Sequence, residues 1–426
     1  MQWRPLLRVT ALLLCAALTG VRAEEEVAEI AVDPDVGLTV TQMITRRGYA
    51  FEEHKVVTDD RYVLTMYRLP KSYDETKQNK APAPNKPAVY LIHGLLDSSF
   101  TWVNNFRNQS LAYILADAGY DVWLGNNRGT TWSRSHLDYL PSDDRFWDFT
   151  WEDMGNFDLP AMLNYVLKVS GRPTVNYIGH SEGTTQAFVG FSNNQAIAKK
   201  VSYFGALAPV AFLGDSSSQV FKAMANTYLD EWFEAFGVDE FLGRSPILAD
   251  LIGKYGCTIA DALCDSFVQV LVGPSKNLNS TRIPVYISQT PAGTSVKNMG
   301  HYAQCIRKDT FSRYDYGCSC SRLLPIALCP SAICKNKAVY GTFEPPAFPI
   351  GNMKYPRTVF FNGAEDSLAT AKDVAKLRAK LPSGTIIGEK NLAAFNHLDF
   401  TWAYDNKAKF YDEIVTHIKA FDGIGY

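Results

Sequence analysis

Ser181 stands between His180 and Glu182 in the run TVNYIGHSEGTTQAF, with Gly179 and Gly183 two places away on either side. A serine hydroxyl is a poor nucleophile until an imidazole takes its proton and a carboxylate holds that imidazole in the right tautomer. The pattern G-x-S-x-G is weak alone, because glycine and serine are common. Its flanks carry the signal: VNYI runs in as a strand and TTQAFVGF runs out with helical character. So sharp a bend strains the serine backbone, and flanking glycines let strand and helix approach without side-chain clash. The hydroxyl is then held at the carboxyl edge of a sheet, where open α/β sheets place their sites. Adjacent residues on such an elbow point in different directions. His180 and Glu182 are therefore expected to be neighbours of the hydroxyl and not its base and acid.

In this arrangement the acid and then the histidine follow the nucleophile, each on a loop after a later strand. Only His301, His397 and His417 come after Ser181. His417 falls in an amphipathic helical stretch and His301 in NMGHYAQ, away from any strand end. His397, in AAFNHLDFTWA, follows the strand-like GTIIGEK through a short loop and is the expected base. For the acid, TVFFNGAEDSLA offers a strand, a glycine turn and Asp366, with Glu365 and Asp399 as competitors. Asp366 is favoured because its loop is the expected strand end.

Attack on a carbonyl generates an oxyanion that needs backbone N–H donors, one from the residue after the nucleophile and one from a loop after an early strand. AVYLIHGLLDSSFTW supplies that loop, so the Leu95 and Glu182 amides are the candidate pair. A Glu182 carboxylate turned inward would oppose the developing anion.

These groups need a frame to hold them. Strand-length apolar runs alternate with helically spaced ones: AVYLIHG, NQSLAYILADAG, YDVWLGNN, DLPAMLNYVLKVSG and TVNYIGHS. The alternation resumes with PRTVFFNGAED, AKDVAKLRAKL, GTIIGEK and AKFYDEIVTHIKAF. This describes a mostly parallel central sheet with helical crossovers on both faces, an α/β fold. It is absent between about 212 and 352. Residues 24–211 and 353–426 are accordingly expected to build the core, with 212–352 inserted as a cap carrying every mature cysteine and the apolar run EWFEAFGVDEFLG. Trp232, Phe233, Phe236 and Phe241 in that run suit either a greasy binding surface or the cap's own core.

Residues 1–23 read as a secretory signal: Arg4 and Arg8, an apolar run from Val9 to Val21, and small residues at Val21 and Ala23. That run is too short to span a bilayer, and no later stretch is long and apolar enough. Losing the segment removes three arginines and no acids, so 39 basic residues face 44 acidic ones, a net charge of −5. An acidic chain argues against nucleic acid as a partner. Asn108-Gln109-Ser110 and Asn279-Ser280-Thr281 are glycosylation sequons consistent with export. Seven cysteines remain, an odd count that leaves at least one thiol free or paired between chains. An oxidising compartment, and no C-x-x-C or His pair near CSCSRLLPIALCPSAIC, favour disulfides over zinc. The proposed chemistry calls for no cofactor and no metal.

Together the motifs resemble the acid lipase family, the animal group of gastric lipase and lysosomal acid lipase, called lipase-3-like in insects. The resemblance runs through VTQMITRRGYAFEEHKVVTDDRYVLTMYRLP, LIHGLLDSS, GNNRGTTWSRSH, FWDFTWEDMGNFDLPAMLNYV, GHSEGTTQAF and NHLDFTWA. It implies an α/β-hydrolase core with a cap and lid, acting on triacylglycerols or sterol esters at a lipid–water interface. It implies Ser181, Asp366 and His397 as triad, Leu95 and Glu182 as oxyanion donors, and a lid-region disulfide between Cys257 and Cys264. The chain departs from the family at Glu182, where glutamine is usual, and in its cysteine-rich segment; Cys305 has no assigned partner. Two other readings share the scaffold: a catalytically silent lipid-binding or storage protein, and a hydrolase of soluble esters or amides.

Overall fold

The runs AVYLI, DVWLG and VNYIGH are buried along their whole lengths, the pattern of strands covered by helices on both faces. In the computed structural model they are β3 (Ala88–Ile92), β4 (Asp121–Gly125) and β5 (Val175–His180). The structure describes residues 32–228, 237–243, 261–318 and 333–426. The expected leader at 1–23, Cys257, and Trp232, Phe233 and Phe236 lie outside these residues. β6 (Val201–Leu207) and β9 (Thr358–Gly363) are equally buried, and β10 (Ile386–Leu392) closes one edge.

The other edge is formed by β1 (Glu52–Val57) and β2 (Val63–Leu69). The eight strands run in the order β1-β2-β4-β3-β5-β6-β9-β10. β1–β2 and β2–β4 pair antiparallel, and all other neighbours pair parallel. The fold is an α/β-hydrolase fold, as expected; the antiparallel edge and β6 add three strands to those the periodicity marked.

The chain moves outward from β3 to β4 through helix Leu111–Asp117. It then doubles back to β5 through helix Leu159–Ser170 and on to β6 through helix Glu182–Asn193. Right-handed crossovers put the first helix on one face of the sheet and the next two on the other. Contacts agree: the second and third pack on each other, while the first touches the turn Lys407–Tyr411 that leads into the last helix, Asp412–Phe421. The reversal of direction falls at β3, and open α/β sheets place their sites at such a switch point, beyond the carboxyl ends of the strands, here β3 and β5.

Among the described residues, 212–352 contributes no strand to this sheet. It carries β7 (Glu240–Phe241), paired with β8 (Thr294–Ser295), and helices including Asp261–Val272 and Val296–Lys308. A disulfide joins Cys318 to Cys334, and Cys305 is a buried free thiol, consistent with the odd count.

Candidate active site

Ser181 is the junction between β5 and helix Glu182–Asn193, at φ 52° and ψ −116°. Positive φ is unfavourable for a residue with a Cβ, so the bend must be over-determined by its surroundings. Ser181 N–H donates to Leu207 O at 3.0 Å, while Ser181 O accepts from the amides of Thr184 at 2.7 Å and Thr185 at 3.2 Å. The glycines are sterically obligatory. A Cβ on Gly179 would lie 2.5 Å from Gly183 O, and one on Gly183 would lie 2.7 Å from Ile92 O.

The structure brings the three residues expected from sequence together. His397 Nε2 lies 2.7 Å from Ser181 Oγ, and His397 Nδ1 lies 2.8 and 3.0 Å from the two oxygens of Asp366. Because a carboxylate only accepts, Nδ1 carries the proton and Nε2 is left to accept from the serine hydroxyl. Asp366 Oδ1 also accepts from the amides of Leu368 and Ala369, both at 2.8 Å, which fixes its plane. All three side chains are buried.

The competing acids point elsewhere. Glu365 is exposed. Asp399 accepts from Asn396 N at 2.7 Å, Ser275 Oγ at 2.6 Å and Asn277 Nδ2 at 3.2 Å, so it shapes the loop before His397. Burial raises its carboxyl to about 6. Of the competing histidines, His301 stacks on Trp151 with ring centroids 3.9 Å apart. His417 sits half-buried on the last helix beside Tyr203.

Both segments expected to supply oxyanion amides lie at the elbow. The amide of Glu182 lies in the first turn of its helix, where N–H groups lack intrahelical partners. Leu95 follows Gly94, whose Cβ position would be 3.0 Å from Ser181 Cβ, so the loop after β3 passes directly over the elbow. His93 sets that loop: its Nδ1 donates to Gly94 O at 2.8 Å and its Nε2 accepts from Asn127 N–H at 3.2 Å. Burial pushes this imidazole down to about 4, which keeps it in that single neutral form.

Three further relationships had no local sequence signal. His180 Nε2 donates to the backbone carbonyl of His397 at 2.8 Å. Asn298, on helix Val296–Lys308, donates to Glu182 Oε2 at 2.7 Å. The end of helix Asp261–Val272 is stitched between the two loops that carry Asp366 and His397. Val272 O accepts from Ser367 N at 3.3 Å and His397 N at 3.4 Å, and Gly273 O accepts from Asn396 Nδ2 at 2.8 Å. Gly273 is at φ +105°, and a Cβ there would meet Glu365 O at 2.0 Å. Of the sequons, Asn108 is exposed and Asn279 half-buried. The expected Cys257–Cys264 pairing lies outside the described residues.

Comparisons with known proteins agree with this geometry. Residues 40–106 match a partial alpha/beta-hydrolase lipase region, and residues 87–403 match the alpha/beta hydrolase fold. Gastric triacylglycerol lipase of Rattus norvegicus is 39% identical over 388 residues, covering 90% of this chain and 92% of that one. Lysosomal acid lipase/cholesteryl ester hydrolase of Homo sapiens is 36% identical over 420 residues, covering 97% and 99%. Lipase member K of Mus musculus is 35% identical over 431 residues, covering 98% of each.

Proposed function

The chain belongs to the α/β-hydrolase family that includes the gastric and lysosomal acid lipases, and from that premise we propose that it hydrolyses neutral lipid esters through an acyl-enzyme on Ser181. His397 Nε2 takes the hydroxyl proton as Ser181 Oγ bonds to the ester carbonyl carbon. The carbonyl oxygen becomes an oxyanion facing the amides of Leu95 and Glu182. Collapse breaks the bond to the alcohol, which leaves with the proton held by His397. Water then gives its proton to His397 and attacks the acyl-enzyme, and the second collapse frees the fatty acid and restores the serine. Asp366 keeps the imidazole in the tautomer that both halves need.

The observation that carries this reading is the unbroken series Ser181 Oγ, His397 Nε2, His397 Nδ1 and Asp366, at 2.7 and 2.8 Å. Triacylglycerols and sterol esters are the proposed substrates, matching what the relatives' names say of those proteins. The segment 212–352 acts as a cap over the crevice, excluding water from the acyl-enzyme. Release into the secretory pathway follows from the leader read at 1–23 and the sequons at Asn108 and Asn279; among the described residues no helix is long and apolar enough to cross a membrane.

The direct test is fluorophosphonate labelling, expected at Ser181 and lost in Ser181→Ala. Hydrolysis of emulsified long-chain triacylglycerol, cholesteryl ester and a short soluble ester is then compared on the same preparation. Folded protein that neither labels nor cleaves any of the three overturns the proposal; cleavage of the soluble ester alone transfers it to a soluble-ester hydrolase.

A further inference from the structure

Glu182 offers its amide to the crevice, but its side chain has a separate environment. Glu182 is 2% exposed and directly follows Ser181 in sequence. An ionised carboxylate has room for about four hydrogen bonds. Glu182 has one tight bond, from Asn298 Nδ2 at 2.7 Å, and Asn298 is itself fixed by Trp151 N–H donating to its Oδ1 at 2.6 Å. The Tyr302 hydroxyl and the Asn127 amide nitrogen bear on the same carboxyl, yet neither forms a well-shaped hydrogen bond.

Among the described residues, the charged and titratable groups packed around this carboxyl offer it no cation of its own. From the turn before helix Leu159–Ser170 comes Asp158, a like charge, bound by Arg128 at 2.6 Å; Arg128 is also held by Asp60 at 2.6 Å. From the loop after β4 comes Asn127, whose backbone N–H donates to the neutral His93. Helix Val296–Lys308 contributes Tyr302, with Cys305 behind it, while Lys297 is paired with Asp148 at 2.6 Å. A buried carboxylate with so few donors and no counter-ion is driven toward its neutral form. Burial raises Glu182 to about 7.

Resting on the reading of Ser181 as nucleophile, we propose that the Glu182 side chain is a proton-controlled positioning residue. Its neutral form, clasped by Asn298, supports the reaction, and its ionised form opposes the oxyanion and sets the alkaline limit of activity. When the proton leaves, a negative charge stands on the buried side chain of the residue whose own amide is proposed to face the oxyanion. Like charges in a buried setting repel far more strongly than in water. The loss appears in kcat, because the repulsion grows only as the oxyanion forms.

The test is the pH dependence of kcat on a short-chain acyl ester, with product quantified by chromatography, for wild type, Glu182→Gln and Glu152→Gln. Glutamine keeps the shape, the amide and the capacity to pair with Asn298, but cannot ionise. Glu152 is a control, since burial also raises it to about 7 but it lies beside Arg313 and not at the elbow. Wild type and Glu152→Gln should lose activity about tenfold per pH unit above the ionisation. Glu182→Gln should hold its plateau through that range. Asn298→Leu provides a second route should the glutamine variant not fold: removing the donor should move the alkaline limit to higher pH. Coincident alkaline limbs in wild type and Glu182→Gln, or an unmoved limb in Asn298→Leu, overturn the proposal. Activity that survives Ser181→Ala overturns the nucleophile reading instead.

Discussion

The Nε2–H of His180 is bonded to the main-chain carbonyl of His397, 2.8 Å away and across 217 positions of sequence. His180 thus ties down the backbone of His397, leaving that residue's ring to Ser181 and Asp366. Burial drives His180 down to about 3, so this donor keeps one neutral form through neutral and mildly acid pH.

Replacing His180 with phenylalanine should retain the ring volume and lose the donor. A small displacement of a catalytic group can cost about 10²-fold in rate. The expected outcome is a fall of that order in kcat and in fluorophosphonate labelling rate, with KM and the circular dichroism spectrum little changed. An unchanged labelling rate would show that His397 is held without this bond.

Asp366→Asn and Asp399→Asn should separate the orienting acid from its neighbour. Asp366→Asn forces the wrong tautomer on His397 and should cost about 10⁴-fold in kcat. Asp399→Asn should lower stability, because its oxygens serve Asn396, Ser275 and Asn277, while leaving labelling of Ser181 within about tenfold of wild type. Equal losses in labelling would contradict the assignment.

Gly183→Ala should be poorly tolerated although alanine is the better helix former. Its methyl would lie 2.7 Å from Ile92 O and 2.9 Å from His93 O, both main-chain atoms. Overpacking against backbone costs about 1–3 kcal/mol. Urea denaturation should report a loss in that range, together with reduced activity as the loop after β3 is pushed away from the elbow.

Glu182→Gln should gain stability over wild type as pH rises. Because burial raises this carboxyl in the folded state from 4.5 to about 7, the folded chain holds its proton more tightly than the unfolded one. The stability linked to that proton is present below about 4.5 and is lost as pH climbs through about 7. Glutamine has no such proton, so the difference in unfolding free energy should move in the variant's favour by roughly 3 kcal/mol between pH 4.5 and 8. Denaturation curves at the two pH values check this; parallel behaviour would mean that Glu182 is not titrating in that window.

The sheet and its three polar groups were legible because each is announced locally. The elbow declares itself by two glycines, Asp366 follows the buried β9, and His397 follows the half-exposed edge strand β10 through a short loop. Less was visible where a contact depends on distant partners. β1 and β2 have mixed burial along an antiparallel edge, so no uniform apolar run marks them. β6, though fully buried, is interrupted by Ser202 and Gly205. Glu182 could be flagged as a charge in a sensitive place, but its environment is set by Asn298, 116 positions away. His180 could be excluded from the triad by direction alone, whereas its bond to His397 required the tertiary fold.

Helix Asp261–Val272 ends in an interlock with the acid and base loops: one carbonyl serves both Ser367 and His397, and the next holds Asn396. Tilting this helix outward would unfasten the aspartate and histidine at the same stroke. On the proposed function, entry of a bulky ester would have to leave this helix end seated.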